Sequence, residues 1–278
     1  IGQIQQKILS IELECPISSI ISPSIQIDFL KDQYDANFSI DGYTLGIPSY
    51  SNNSTLNFIG KDAINTKITF DFYIGDFLQE FLKPIFPLVM PGVVDIWAYG
   101  ETGYHSLAAA VVRERYRREA MASAFRILGE GQLSLTKFLF VTDKPVELLD
   151  FKATLTHILE RTNPARDLYV LSNLAMDTLD YTGPRINEGS KGVWLGLGEP
   201  KRSLPKVFAN KEIPIGVDKV IVFCPGCLVV GCKSWLDEPE LGIRLAKHPA
   251  FADWPLLVLT TEADRATASS TNFLWTTF

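Results

Sequence analysis

Cysteine and histidine are scarce in this chain, with four Cys and three His in 278 residues. Three of the cysteines crowd into Cys224–Cys232, so the spread disulfide framework of a stapled extracellular domain is excluded. His105, His157 and His248 are too scattered to form a spaced metal set, and His157 and His248 read as structural. Long apolar runs are also missing. Phe86–Val94 and Val220–Val230 are the longest, both carry Pro and Gly, and both fall short of the roughly 18 to 20 residues a membrane-spanning helix needs. Positive charge is in deficit: the formal net charge is -6 and the pI near 5.2, which removes any general electrostatic reason to expect nucleic acid or an anionic membrane as partner. The opening Ile1-Gly-Gln-Ile-Gln-Gln-Lys7 has neither an initiator Met nor the basic-then-apolar order of a secretory signal. It is read as a processing boundary, and the chain is expected in the cytoplasm.

A hydrophobic content of 46% with 21% charged residues is ordinary for a globular protein able to bury one large core or two modest ones. Arginine divides the sequence. Residues 1–70 contain none, and all eleven arginines fall in residues 71–278, the first at Arg113. In the first segment apolar residues alternate along Ser24–Phe29, Asn37–Asp41 and Lys67–Tyr73, with turn-forming Asp41-Gly42 and Ser51–Ser54 between them. A period of two predicts short strands, hence a small β-rich N-terminal segment over residues 1–70.

Residues 71–278 show longer periods. Val112, Tyr116, Ala120, Ala124 and Ile127 recur at spacings of three and four, and Gly129 follows. That pattern predicts one long helix over residues 105–128 whose arginines face solvent. An apolar strand at Lys137–Asp143, a helix at Val146–Arg161 and a strand at Asp167–Leu171 predict a parallel strand pair. A second round runs through a strand at Lys219–Phe223, a helix at Glu238–Lys247 and a strand at Trp254–Thr260. The expected class is α/β, a mixed or parallel sheet covered by helices. Residues 266–278 read as a helix cut off before its cap, so the α/β region is expected to be truncated at its end.

Several ordered motifs carry a family likeness. Phe72–Glu80, Phe86–Val94, Tyr99–Ala110 and Leu135–Asp143, followed by Asn163-Pro-Ala-Arg-Asp167 and Gly189-Ser-Lys-Gly192, resemble the later region of the UbiD-type decarboxylases, from about residue 71 onward. Cys224-Pro-Gly-Cys227 is similar to a segment of the longer UbiD-like proteins placed in menaquinone biosynthesis. The resemblance implies a carboxy-lyase that removes carbon dioxide from an aromatic or α,β-unsaturated acid, a quinone precursor among the options. It also implies prenylated FMN with a divalent metal, Mn or Mg, and a homo-oligomer. The family's catalytic Arg and Glu residues and its metal site lie upstream of these motifs. Glu12 and Glu14 lack the family's surrounding pattern, so no catalytic residue is assigned and no metal ligand is named. A chain without that half reads alternatively as a noncatalytic assembly fragment.

In UbiD-like proteins a Ser-Lys pair reaches the flavin-phosphate side, which makes Ser190 and Lys191 the expected cofactor-binding residues. An ammonium on a glycine-flanked turn suits a phosphate as a point charge, although a solvated turn has the same sequence. His105 would sit at the start of the long helix, where free N–H groups favour an anion. Capping by Thr102 or Ser106 explains the same residues. Arg113, Arg115, Arg117 and Arg118, interrupted by Glu114 and Glu119, read as a solvated helix face. Cys224, Cys227 and Cys232 form C-x2-C-x4-C, open to three readings: reduced semi-buried thiols, a metal site short of a fourth ligand, or a redox pair.

Overall fold

The computed structural model describes residues 75–178, 180, 183, 185–209 and 213–278, together with three short strands between residues 28 and 47. The chain divides into two compact units, residues 1–74 and 75–278. In the first, β1 (Asp28–Phe29), β2 (Ala36–Ile40) and β3 (Tyr43–Ile47) form an antiparallel sheet in that order, with Ile40 opposite Tyr43. The strand expected at Lys67–Tyr73, the turns at Asp41-Gly42 and Ser51–Ser54, the opening residues Ile1–Lys7, and Glu12, Glu14 and Cys15 lie outside the described residues.

The second unit is α/β, built on two mixed sheets. It begins with α1 (residues 75–82) and α2 (Phe86–Val89). A five-stranded sheet follows, made of β4 (Val93–Ala98), β5 (Leu107–Val112), β6 (Phe138–Thr142), β7 (Leu168–Ala175) and β8 (Glu188–Gly196), in the order β4-β5-β6-β8-β7. The three central strands run parallel, and the two edge strands are antiparallel to their neighbours. A three-stranded sheet has β10 (Cys227–Cys232) between β9 (Val217–Cys224), antiparallel, and β11 (Leu256–Thr260), parallel.

The helix expected over residues 105–128 is half strand. Leu107–Val112 is β5, and all six of its residues are buried. Alanine favours helix intrinsically, but a central strand covered on both faces also reads as a continuous apolar run, and packing overrides propensity here. Only α3 (Glu119–Ile127) is helical, burying Ala120, Ala124 and Ile127, whereas Tyr116 is exposed. The arginines between these elements form a loop held by two carboxylates. Glu114 accepts from the N–H groups of Arg118 (2.6 Å) and Ala120 (2.7 Å), and Glu119 accepts from the Arg115 N–H at 2.6 Å.

The expected β6-to-β7 parallel pair is also corrected. After α4 (Phe151–Arg161), capped by the Asp150 carboxylate on the Ala153 N–H, and α5 (Pro164–Asp167), the chain enters β7 at the sheet edge. It turns back as β8, which is the parallel neighbour of β6. The ladder of β7 breaks between Leu171 and Leu174, where Asn173 takes a left-handed φ of 59°.

Alternation along the strands creates three cores. Ile96, Ala110, Val141 and Leu195 pack on one face of the large sheet against α3. Leu107, Phe140, Phe223 and Val229 meet α4 and α8 (Ser270–Thr277) between the two sheets. Leu228 and Val230 pack on the outer face of the small sheet against α6 (Leu241–Ala246). Ahead of α8 stands α7 (Ala263–Thr267), with Ser269 capping α8 through the Asn272 N–H. Among the described residues no helix is long and apolar enough to cross a membrane.

Candidate functional site

Gly189–Gly192 is not a turn but part of β8, and this changes what its side chains can reach. Neighbouring strand residues point to opposite faces, so Ser190 is exposed while Lys191 is only 4% exposed. The Lys191 Nζ donates to the carbonyl oxygens of Ser134 at 2.8 Å and Thr136 at 2.7 Å. Burial pulls the Lys191 ammonium below the ordinary lysine range, and the carboxylate of Asp180 partly opposes this.

Around Lys191 the sheet gathers a polar cluster where β5 and β6 begin. The Lys137 N–H donates to the His105 carbonyl at 2.9 Å, and the Gly192 N–H donates to the Lys137 carbonyl at 2.8 Å, so backbone hydrogen bonds tie the residues just ahead of β5 and β6 to β8 beside Lys191. The segment after β7 brings two carboxylates to them. His105 Nδ1 lies 2.6 Å from Asp177 Oδ2, and Lys137 Nζ lies 2.7 Å from Asp180 Oδ2. His105 therefore precedes a strand rather than a helix, and its expected dipole-backed anion site is replaced by an imidazole–carboxylate contact. Lys137, Asp177 and Asp180 were not singled out from the sequence.

A second charged group lies at α5. Burial works against the Asp167 carboxylate, yet the Asn163 N–H, Lys201 at 3.0 Å and Arg118 at 2.9 Å together hold it below the usual carboxylate range. Arg118 is thus tied down rather than part of a solvated helix face. The remaining histidines have local partners. His157 Nε2 lies 2.8 Å from Thr142 Oγ1, and His248 Nδ1 accepts from the Ala250 N–H at 3.2 Å. Cys232 faces the α6 core, opposite Cys224 and Cys227, so the three thiols do not converge.

The fit of these residues to a metal-bound flavin phosphate can be tested directly. Among the described residues no group of three His, Cys, Asp or Glu side chains could hold a metal ion. Two of the three Lys191 ammonium protons are already spent on carbonyls. The described residues therefore do not fit a metal–phosphate site by themselves. What they offer is one exposed hydroxyl at Ser190 and a buried positive charge behind it.

Residues 72–196 match the C-terminal domain of 3-octaprenyl-4-hydroxybenzoate carboxy-lyase, UbiD. The chain carries a UbiD-family C-terminal domain. It is similar to an uncharacterized protein of Chlamydia trachomatis serovar D, 53% identical over 75% of this chain and 35% of that protein. It is likewise similar to a Chlamydia pneumoniae protein named as a subunit of 4-hydroxybenzoate decarboxylase, 51% identical over 75% of this chain and 35% of that one. The chain thus spans about a third of the length of these relatives. Among solved structures, the UbiD-class enzyme HmfF from Pelotomaculum thermopropionicum in complex with FMN aligns with a TM-score of 0.41 and 14% identity, over 70% of this chain and 45% of that one. The UbiD-type stretch contains the polar cluster and all five strands of the larger sheet, β8 ending at Gly196 where the match ends.

Proposed function

We propose that this chain is the C-terminal part of a UbiD-type decarboxylase, acting on an aromatic or α,β-unsaturated carboxylic acid with prenylated FMN and a divalent metal. The observation that carries the reading is the UbiD C-terminal domain over residues 72–196, beside a 51% identical relative named as part of a decarboxylase. In this reading the chain contributes a wall of the cofactor site rather than the whole of it. Ser190 is the proposed hydrogen-bonding contact on the phosphate side, and Lys191 adds positive potential from behind the strand, where low polarity weakens screening. When bound, the flavin would supply the electron sink for decarboxylation, and the metal and catalytic carboxylates would come from outside the described residues.

A second reading, a noncatalytic assembly fragment, is favoured by a specific feature. Leu78, Phe81, Ile85 and Leu88 on and beside α1 and α2 are 50%, 55%, 42% and 80% exposed, an apolar surface of the kind that is covered where protein chains associate.

The deciding experiment mixes the purified chain with prenylated FMN and Mn2+, measures retained cofactor by native mass spectrometry, and follows carbon dioxide release from 4-hydroxybenzoate. Retention that Ser190→Ala weakens supports the first reading. A folded chain that retains no cofactor and self-associates supports the second.

A further inference from the structure

Cys224 and Cys227 close the β9–β10 hairpin as direct cross-strand partners, joined by Pro225 and Gly226, the latter at φ 79°. A Cβ at Gly226 would also stand 2.7 Å from Leu204 Cδ2, so the turn is fixed both by its backbone and by its packing. Antiparallel partners hold their Cα atoms about 4.5 to 5.5 Å apart, inside the roughly 4.4 to 6.8 Å that a disulfide bridges. Both residues carry free thiols and belong to the same core. Their exposure differs. Cys227 is wholly buried and Cys224 only 5% exposed, but Cys224 lines the edge of an open cleft of about 560 Å³ beside Lys152 and Thr156 of α4. The Lys152 ammonium lies 4.6 Å from the ring centroid of Phe223, the residue before Cys224.

We propose that Cys224 and Cys227 form a thiol–disulfide exchange site that takes low-molecular-weight disulfides, with Cys224 as the attacking thiol and Cys227 as the resolving one. The Cys224 thiolate attacks one sulfur of the small disulfide, a mixed disulfide forms, and the other half leaves as a thiolate. Cys227 then loses its proton to water or to that thiolate and attacks Cys224 Sγ. The intrachain disulfide forms and the second small thiol departs. One protein dithiol and one small disulfide become one protein disulfide and two small thiols, with two electrons passing outward. The electrostatics agree with this division of roles. The Cys227 hydrogen bond draws the Cys224 thiol below its ordinary range despite burial, with Thr156 and Lys152 assisting, and the same pairing together with burial pushes Cys227 up.

The test equilibrates the folded chain with glutathione disulfide and glutathione over a series of ratios, quenches in acid, blocks free thiols and maps the peptides by mass. The expected result is a Cys224–Cys227 crosslink in the parent and a single glutathione adduct at Cys224 in Cys227→Ser. Because that variant could misfold, native alkylation of the parent gives a second readout. Cys224 should react at least about tenfold faster than Cys232. No crosslink at any ratio, a crosslink through Cys15 or Cys232 instead, or Cys224 alkylation no faster than Cys232 would overturn the proposal.

Discussion

Lys191 Nζ donates to the Thr136 carbonyl oxygen at 2.7 Å, tying the middle of β8 to the turn that launches β6. Thr136 is wholly buried, and its own hydroxyl oxygen already has no hydrogen-bond partner. Losing the ammonium would strand two further acceptors, the carbonyls of Ser134 and Thr136. Lys191→Met is therefore expected to destabilise the fold by about 1–3 kcal/mol, measured by urea unfolding. Lys191→Arg should not restore it, since a planar guanidinium cannot occupy a site shaped for an ammonium. A Met variant as stable as the parent would show that the clamp has no structural weight.

Asp167 offers a comparable test away from that cluster. Asp167→Asn keeps the shape but removes the charge that Arg118 and Lys201 face, and a loss of about 1–2 kcal/mol is expected, the partners being partly exposed. Because the folded-state pKa is lowered, the stabilisation is present above the ordinary aspartate range and fades as pH falls through the folded value. The difference in chemical stability between parent and variant should accordingly shrink in acid. A difference independent of pH would assign the effect to packing.

His157 titrates in the opposite sense to a salt-bridged histidine. Burial, helped by the nearby Arg161 charge and opposed by Asp143, lowers its pKa to about 4 from the ordinary 6.5. The unfolded chain then binds the proton more readily, so this residue costs no stability above pH 6.5 and a growing amount as pH falls from 6.5 toward 4. Thermal melts of His157→Gln should show a shallower loss over that window than the parent. Identical slopes would remove His157 as the cause.

Gly196 lets α4 approach the end of β8. An added Cβ would meet Ile158 Cδ1 at 2.8 Å and the Ile158 Cα at 3.0 Å, and the backbone atom cannot swing aside. Gly196→Ala should cost about 1–3 kcal/mol, whereas Gly198→Ala, which meets no atom within 4 Å, should show only the strain of its φ of 75°. Equal losses would mean that backbone strain, not contact with Ile158, dominates at both positions.

Much of the α/β unit was legible because its strands are apolar runs bounded by turn residues. Phe138–Thr142, Val217–Cys224 and Leu256–Thr260 fall where continuous apolar runs placed strands, and α4 ends at Arg161 as expected. Leu107–Val112 was misread because an alanine-rich strand buried on both faces carries no period-two signature, and its neighbours supplied a helical spacing by coincidence. The site was legible only in part. Lys191 was singled out from sequence, but that its ammonium faces Ser134 and Thr136 depends on the pairing of β6 with β8, set by residues more than fifty positions apart. Asp177 and Asp180 owe their contacts to the hairpin that returns β7 into β8, which local pattern does not encode.

The break in the β7 ladder also bears on self-association. An edge strand presents an open row of N–H and C=O groups on which a foreign strand can nucleate, and Leu168 and Val170 make this edge adhesive. The irregularity between Leu171 and Leu174, with Asn173 turned left-handed, interrupts that row after four residues. A chain docking there could zip along only half of β7, which gives this edge a built-in brake against fibrous growth.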